Sequence, residues 1–362
     1  MLTAEDKSSI KSSILTRAAR RSQHDGWQKA LAAAVTDPAE LLTMLDLDPA
    51  LLDGARIAAR DFRLRVPRGF VARMGRGDPA DPLLRQVLPL AAELDEVPGF
   101  GSDPVGDGPA TAAPGLLSKY DGRALFIASG ACAVNCRYCF RREYPYHEGV
   151  AAAADWIPAL EQLDRLDGVS ELILSGGDPL TLSDLRLNKL TAALKGRPGI
   201  RRLRIHSRVP VVLPERIDQG FLSWVRSLPI PLVMVIHANH ANEIDAGVAA
   251  AMDALRAAGV TLLNQSVLLA GVNDRAEDLA DLSEALFSCG VLPYYLHLLD
   301  RVRGTAHFDV PEDRARIIAD ALAARLPGYL VPKLVREVPG ALAKTPLGPA
   351  AAAEAVTPDG AV

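Results

Sequence analysis

Several features that define specialised classes of protein are scarce in this 362-residue chain. Its four cysteines are too few for a disulfide scaffold of this length. Its 40 lysines and arginines are outnumbered by 44 aspartates and glutamates, so the formal net charge is −4. Because proteins that bind polyanions usually present a basic field, this balance gives no support to nucleic-acid binding. No run approaches the roughly 20 apolar residues of a membrane-spanning helix.

A secretory signal is also missing from the start of the chain. Residues 1–22 contain no apolar core, because seven charged residues are scattered through them: Glu5, Asp6, Lys7, Lys11, Arg17, Arg20 and Arg21. The expected location is therefore the cytoplasm, where thiols stay reduced.

What the chain does have is apolar content. Hydrophobic residues make up 49% and the mean hydropathy is +0.11, which suits a large buried core.

From Tyr120 onward, apolar strand-like runs alternate with amphipathic stretches at a spacing of about 30 residues. This alternation predicts βαβ units and a parallel sheet, either a six-unit (β/α) barrel or a doubly wound open sheet. The predicted strands are 124–129, 171–175, 203–206, 231–237, 260–267 and 291–298, with an edge strand within 328–338. The predicted helices are 156–166, 182–194, 244–258, 276–288 and 311–324.

Polar or glycine-containing clusters follow nearly every predicted strand, and this distribution favours the barrel. Parallel α/β folds place their active sites at the C-terminal ends of their strands. The sequence therefore predicts one large site over that edge of the sheet. The clusters are residues 130–142, 175–179, 206–208, 237–243, 264–266 and 300–304.

The chain divides into three predicted segments. Residues 1–115 form an N-terminal helical or irregular extension, residues 116–347 form the core, and residues 348–362 are an alanine-rich tail that we expect to be disordered. Within the extension, residues 66–114 are rich in glycine, proline and aspartate. This composition fits an ordered lid and a flexible linker equally well.

Cys132, Cys136 and Cys139 form a C-x3-C-x2-C motif after the first predicted strand. Three thiolates on one loop can bind three irons of a [4Fe–4S] cluster and leave the fourth iron for another ligand. The alternative is a zinc loop completed by His147. Zinc loops usually use paired C-x2-C spacing, and the sequence has no second pair. The remaining Cys289 is predicted to be a buried apolar residue.

Other clusters are weaker signals when taken alone. The glycines of 175–179 would let the backbone approach a ligand closely, although a plain turn explains them as well. Arg208 can hold a carboxylate or a phosphate. His237 and His240 are more typical of hydrogen-bonded histidines than of metal ligands. Lys344 by itself would be an ordinary surface lysine.

The cysteine loop is similar to that of the radical S-adenosylmethionine (SAM) enzymes, and roughly residues 80–347 resemble the lysine 2,3-aminomutase family. The resemblance implies a partial (β/α)6 radical SAM barrel carrying a [4Fe–4S] cluster, SAM and pyridoxal 5′-phosphate (PLP). It also implies an isomerase that converts L-lysine to β-lysine. The match is carried by residues 121–126, 130–142, 175–180, 208–214, 264–274 and 293–295.

The resemblance implies a role for each matching position. Lys344, followed by Thr-Pro, matches the catalytic lysine that binds PLP as a Schiff base, and Arg123 matches the arginine on the PLP phosphate. Arg141 matches the arginine that holds the substrate carboxylate. Asp300 and Glu337 match two acids that hold the distal ammonium of lysine. The metal ligands are Cys132, Cys136 and Cys139, and the other cofactor-binding positions are Ser175, Gly176, Gly177, Asp178, Ser207, Arg208, His237 and Gln265.

The chain departs from the catabolic members of the family just before Lys344, where Glu337 and Val-Pro-Gly replace an aspartate and a glycine-rich run. It also ends soon after Lys344, without the cysteine-bearing C-terminal extension that those members use in assembly. Together with residues 206–208 and 297–308, this resembles the branch that supplies β-lysine for modifying elongation factor P. A functional link to that factor and to its lysyl-transferring enzyme is implied.

Several alternatives remain open at the sequence level. They are a catabolic lysine 2,3-aminomutase, a 2,3-aminomutase of another basic amino acid, a radical SAM methyltransferase or ligase-like enzyme without PLP, and an iron–sulfur or zinc binding module. The stereochemistry of the product is also open, as is the oligomeric state, a homo-oligomer included.

Overall fold

The computed structural model describes residues 26–146 and 156–350. Residues 1–25, His147 and most of the predicted tail lie outside the described residues. Within them, ten strands form one sheet in which each strand pairs with the next along the chain. The strands are β1 Thr111–Ala113, β2 Leu116–Tyr120, β3 Arg123–Ser129, β4 Glu171–Gly176, β5 Arg202–Ser207, β6 Leu232–Ile236, β7 Thr261–Val267, β8 Leu292–His297, β9 Lys333–Arg336 and β10 Thr345–Pro346.

Strands β3 to β9 are parallel, whereas β1, β2 and β10 are antiparallel to their neighbours. The six central strands β3 to β8 are those predicted from the sequence. Because neighbours in the sheet are also neighbours in sequence, the winding has no switch point, which rules out the doubly wound alternative. The partial barrel is confirmed, and the predicted edge strand within 328–338 is β9.

Twelve α-helices lie in the described part of the chain, and those of the barrel cover its outer face. Each barrel helix buries an apolar stripe, as at Leu279, Leu282 and Leu286, and several begin at an aspartate cap such as Asp245. The helices are α1 Gly26–Ala32, α2 Pro38–Met44, α3 Leu52–Asp61, α4 Arg68–Val71, α5 Pro82–Arg85, α6 Ile157–Leu163, α7 Asp184–Leu194, α8 Val209–Val212, α9 Gln219–Arg226, α10 Ala246–Ala257, α11 Ala276–Ser288 and α12 Glu312–Ala323.

All five predicted helices are present. Besides short elements such as α4, α8 and β10, two longer features were missed. One is α9, a helix that buries Phe221 and Trp224 three positions apart. The other is the β1–β2 hairpin, whose strands are too short to produce a clear alternation. Short 3-10 turns lie at Pro49–Leu51, Ala91–Leu94, Pro179–Thr181, Pro214–Arg216, Ala241–Glu243, Ala306–Phe308 and Gly328–Leu330.

The N-terminal helices pack on the barrel. Trp27, Leu41 and Phe70 belong to the same hydrophobic cluster as Phe126 on β3 and Ile205 on β5. The boundary at residue 115 falls inside the β1–β2 hairpin, so the division into extension and core stays a prediction. In residues 26–146 and 156–350, no helix combines the length and the apolar character that a membrane crossing requires.

Candidate active site

Two adjacent cavities lie at the C-terminal ends of the barrel strands. The first, which we call the Lys344 chamber, has a volume of about 170 Å³. The second, the cysteine chamber, has a volume of about 410 Å³. The two chambers are adjacent, because eight residues line both of them. This shared wall is formed by Phe140, Arg141, Ser175, His206, His237, Gln265, Val267 and Asp300.

Every residue that the sequence assigned to the site lines one of these chambers, although the individual roles stay predictions. Three of them, Arg123, Glu337 and Lys344, line the Lys344 chamber alone. The shared wall contains Arg141, Ser175, His237, Gln265 and Asp300. The cysteine chamber adds Cys132, Cys136, Cys139, Gly176, Gly177, Asp178, Ser207 and Arg208.

The register of the last two strands brings Lys344 to Glu337. Glu337 directly follows β9 and Lys344 directly precedes β10, and these strands pair antiparallel. Lys344 Nζ donates to Glu337 Oε2 at 2.8 Å, while the Tyr120 hydroxyl donates to Glu337 Oε1. Burial alone would raise the pKa of Glu337, but Lys344 and Tyr120 outweigh it and hold that pKa below its ordinary value. The ionised carboxylate therefore fixes the Lys344 ammonium at the chamber wall.

Asp300 follows β8 and faces both chambers. Burial raises its pKa to about 7, with Lys344 lowering it and Glu337 raising it to lesser extents. Two carboxylates in one enclosed space disfavour each other's ionisation unless a cation lies between them. Asp300 and Glu337 together therefore suit a cationic ligand.

Three histidines, on β5, directly after β6 and on β8, line the Lys344 chamber as neutral imidazoles. Burial lowers the pKa of His206, His237 and His297, and His237 reaches about 3. Within the described residues, Nε2 of His237, Nε2 of His297 and Oε1 of Gln265 are buried without hydrogen-bond partners. Because buried polar atoms are normally paired, these three atoms indicate a polar ligand in this space. His297 begins the run of residues 297–308 noted in the sequence, but sequence analysis gave it no role in the site.

Arg141 is held by residues on both sides. Its Nε donates to Asp107 Oδ2 at 2.6 Å and its Nη1 to Ser175 Oγ at 3.2 Å. The other carboxylate oxygen of Asp107 lies 2.6 Å from Lys119 Nζ. Burial would raise the pKa of Asp107, but Arg141 and Lys119 outweigh it and hold the pKa below its ordinary value. Sequence analysis missed Asp107 and Lys119, since no local pattern singles them out.

The three cysteines face the cysteine chamber. Burial, followed by repulsion from neighbouring thiolates, raises the pKa of Cys132 and raises that of Cys139 to about 11. In the part of the chain that the structure describes, no three His, Cys, Asp or Glu side chains converge on a single metal ion. The thiolates of a [4Fe–4S] cluster each bind a different iron and therefore stand farther apart. Three thiols around one chamber fit the cluster; the zinc alternative needs His147, which lies outside the described residues.

A buried ionic network fixes the cysteine loop from behind. Arg137, which is 0% exposed, binds Glu93 through Nη2 at 2.5 Å, and Arg142 binds the same oxygen at 2.9 Å. Arg137 Nη1 also donates to the carbonyl of Phe62 at 2.6 Å. Sequence analysis missed this network because Glu93 lies 44 and 49 residues away from its two partners, separations that no motif spans.

The sequence suggested that Arg208 can hold a carboxylate or phosphate of a ligand, but its guanidinium already has several partners within the protein. Its Nη1 lies 2.8 Å from Cys136 Sγ, and its Nη2 donates to Gln86 at 2.6 Å and to Glu243 at 3.1 Å. The guanidinium is therefore neutralised by Glu243 and positions the cysteine loop. Its contact with a bound cofactor stays a prediction.

Asp178 is likewise occupied by internal hydrogen bonds. Its Oδ1 accepts from the Ser207 hydroxyl at 2.7 Å and from the Leu180 amide at 3.0 Å. Its Oδ2 accepts from the amides of Arg208 at 2.8 Å and Val209 at 3.2 Å. These bonds join the ends of β4 and β5. A SAM contact from this carboxylate, which the resemblance implies, stays a prediction.

The two glycines before Asp178 allow the β4 loop to lie against the cysteine loop. Gly176 has a φ of +114°, and a β-carbon there would lie 2.7 Å from the Ser129 carbonyl oxygen. A β-carbon on Gly177 would lie 2.5 Å from the Ala131 carbonyl oxygen. The two glycines therefore permit a close contact between two backbone segments, while the approach to a ligand that the sequence suggested stays a prediction.

We expect Gly177→Ala to destabilise the protein by about 1–3 kcal/mol and to lower its iron content, because the added methyl displaces the cysteine loop. Urea denaturation and iron analysis after reconstitution measure the two effects. Gly196→Ala is the matched control, since a β-carbon there has no atom within 4 Å. Equal stability and iron content in the two variants would contradict the prediction.

No protein-family model matches the chain. Among curated proteins, it is 50% identical over 325 residues to the L-lysine 2,3-aminomutase of Escherichia coli, covering 89% of this chain and 94% of that protein. The Haemophilus influenzae protein of the same name is 45% identical, with 89% and 96% covered. The Clostridium subterminale protein of that name is 32% identical, with 89% and 78% covered. A solved radical SAM methyltransferase from Sphaerobacter thermophilus gives a TM-score of 0.42 at 19% identity, covering 61% and 68% of the chains.

This chain belongs to the L-lysine 2,3-aminomutase family. It is accordingly an isomerase, and membership of the family implies a [4Fe–4S] cluster, SAM and PLP as cofactors.

Proposed function

We propose that this chain is an L-lysine 2,3-aminomutase that moves the α-amino group of L-lysine to the neighbouring carbon and so forms β-lysine. The observation that supports this most directly is that the two chambers are adjacent and share lining residues. One chamber contains the three thiols and the other contains Lys344, Glu337 and Arg123. Arg141 and Asp300 stand in the shared wall, where a substrate would meet both cofactors.

In this proposal each side chain has one task. Lys344 carries PLP, and Arg123 binds its phosphate. Arg141 holds the substrate carboxylate, and Asp300 with Glu337 receives the distal ammonium. When bound, SAM at the cluster supplies a carbon radical and PLP supplies a conjugated system that stabilises the substrate radical.

The chamber walls contribute by excluding water. Apolar side chains of Val105, Leu117, Ile173 and Val267 line the Lys344 chamber. Excluding water strengthens the charge pairs and protects a radical from side reactions. The chain's own contribution to the reaction is therefore positioning, charge pairing and a dry space.

We expect the affinity for L-lysine to fall about tenfold as the pH drops from about 8 to about 6. Asp300 titrates near pH 7, so below that pH it becomes neutral and no longer attracts the distal ammonium. The buried histidines stay neutral across this window because burial lowers their pKa. Measuring KM against pH tests this. Asp300→Asn should bind lysine weakly at every pH, and an Asn variant that kept the wild-type pH dependence would contradict the assignment.

The reaction is tested by an anaerobic assay. The protein is reconstituted with iron and sulfide and supplied with PLP, SAM, dithionite and L-lysine, and the amino acids are separated and identified by mass spectrometry. A new isomer that elutes with β-lysine supports the proposal. Formation of 5′-deoxyadenosine with unchanged lysine would show that the radical chemistry is present but the substrate is wrong.

We further propose that the β-lysine serves to modify elongation factor P in the cytoplasm. Residues 206–208 and Glu337 support this, because they resemble the branch of the family with that role. Deleting the gene should lower the mass of elongation factor P by the modifying group, and supplying β-lysine should restore it. An unchanged mass would favour a catabolic role for free β-lysine instead.

A further inference from the structure

A short segment outside the barrel, residues 101–108, crosses the mouth of the site; we call it the strap. At one end, the Gly101 amide donates to the carbonyl of Arg301, next to Asp300. Near the other end, Gly106 packs against Pro339 in the loop that carries Lys344, where a β-carbon on Gly106 would lie 3.2 Å from Pro339 Cβ. The strap therefore contacts both of the loops that supply charged groups to the Lys344 chamber.

Asp107 points inward from the strap and is 2% exposed. The two carboxylate oxygens of Asp103 accept the amides of Asp107 at 2.8 Å and Gly108 at 2.9 Å, which fixes the turn. Asp107 then places one oxygen 2.6 Å from Arg141 Nε and the other 2.6 Å from Lys119 Nζ. One buried acid thus separates two cations that would otherwise repel each other.

This pairing determines which part of Arg141 is available to a ligand. Nε is occupied by Asp107, and Nη1 donates one of its two hydrogens to Ser175. The described residues provide no hydrogen-bond partner for Nη2. A carboxylate that binds with two parallel hydrogen bonds must therefore use the outer edge formed by Nη1 and Nη2.

We propose that Asp107 is a positioning residue that fixes the edge of Arg141 presented to the substrate α-carboxylate, and so makes the site select α-amino acids over amines that lack a carboxylate. This inference rests on the proposed function, because it takes Arg141 as the carboxylate-binding residue. Without the negative charge, repulsion between Arg141 and Lys119 shifts the guanidinium. A ligand with no carboxylate is indifferent to that shift.

The test compares L-lysine with 1,5-diaminopentane, which has both amino groups but no carboxylate. Each is titrated into the protein loaded with cluster and PLP but without SAM, so that no turnover occurs, and the change in the visible absorbance of bound PLP is followed. Wild type, Asp107→Asn and Asp107→Glu are compared, with Asp95→Asn as the matched control. Asp95 is an exposed acid that precedes the strap in the chain.

We expect Asp107→Asn to bind L-lysine about 10- to 100-fold more weakly than wild type while its affinity for 1,5-diaminopentane stays within about twofold. Asp107→Glu, which keeps the charge on a longer side chain, should recover part of the preference, and Asp95→Asn all of it. Unchanged or tighter lysine binding by Asp107→Asn would overturn the proposal. So would an equal loss for both ligands, which indicates a merely structural role.

Two further outcomes keep the test decisive. If Asp107→Asn does not load PLP or iron, Asp107→Glu decides the question, and an unchanged preference in that variant overturns the proposal. If the wild type shows no absorbance change with either amine, the proposed function itself fails and the inference fails with it.

Discussion

Replacing Lys344 with alanine is expected to abolish the visible absorbance of bound PLP and to lower β-lysine formation at least about a thousandfold. The ε-amine is the nucleophile that condenses with the aldehyde, and an alanine offers none. Lys344→Arg separates the effect of the charge from that of the nucleophile, because it keeps a cation beside Glu337 but cannot condense with an aldehyde. Absorbance spectra after PLP treatment and product analysis measure both effects.

The controls for Lys344 separate chemistry from folding. Lys333→Ala removes an exposed lysine from the adjacent strand β9 and should leave spectrum and activity unchanged. Iron content should be equal in all of these variants, since the cysteines line the other chamber. Retention of the PLP absorbance in Lys344→Ala would show that another group carries the cofactor.

Glu93→Gln is expected to have the largest effect on the folded cysteine loop. It leaves Arg137 and Arg142, both nearly inaccessible, without a counter-charge. Removing one partner of a buried ion pair costs about 3–5 kcal/mol, because the remaining charge stays desolvated. We therefore expect a lower midpoint of urea denaturation and a reconstituted protein that retains little iron.

Glu96→Gln is the matched control for Glu93. It removes the same charge from an exposed position three residues further along and should change neither the denaturation midpoint nor the iron content. Normal iron content and stability in Glu93→Gln would show that the network does not hold the cysteine loop.

The architecture was the most predictable part of this protein. Buried parallel strands are apolar on both faces, so β4 and β6 appear in the sequence as short, nearly continuous apolar runs. A crossover helix must follow each of these strands, which gives the regular spacing of successive strands along the chain. The cysteine loop could be found for a similar reason, because its three ligands lie within eight residues of one another.

The ionic partners of the site could not be predicted in the same way. Asp107 lies 34 residues from Arg141 in sequence, and Glu93 lies 44 residues from Arg137. Their segment has no periodicity, and it contains other acids that stay exposed, such as Asp95. Which acid becomes buried depends on how residues 66–114 fold across the barrel.

For the loop after β4, the sequence indicated some properties and the tertiary structure decided others. The sequence left open whether the glycines of residues 175–179 serve a close approach to a ligand or a plain turn, and the structure shows that the cysteine-loop backbone lies against them. Asp178 was assigned to a cofactor on the basis of resemblance, and the structure shows that its carboxylate joins β4 to β5. The glycines indicated that this loop could make a close contact, but the packing of the chain determined that the cysteine loop is the segment it contacts.

The sequence by itself determined the parallel βαβ architecture, the strand edge that carries the site and the three-cysteine loop, because each depends on local periodicity or spacing. Tertiary structure alone decided that Glu337, held by Tyr120, binds Lys344, that Asp107 stands between Arg141 and Lys119, and that the two chambers share a wall. Charges pair in a protein interior when folding removes them from water together, and that pairing is set by the packing of distant segments.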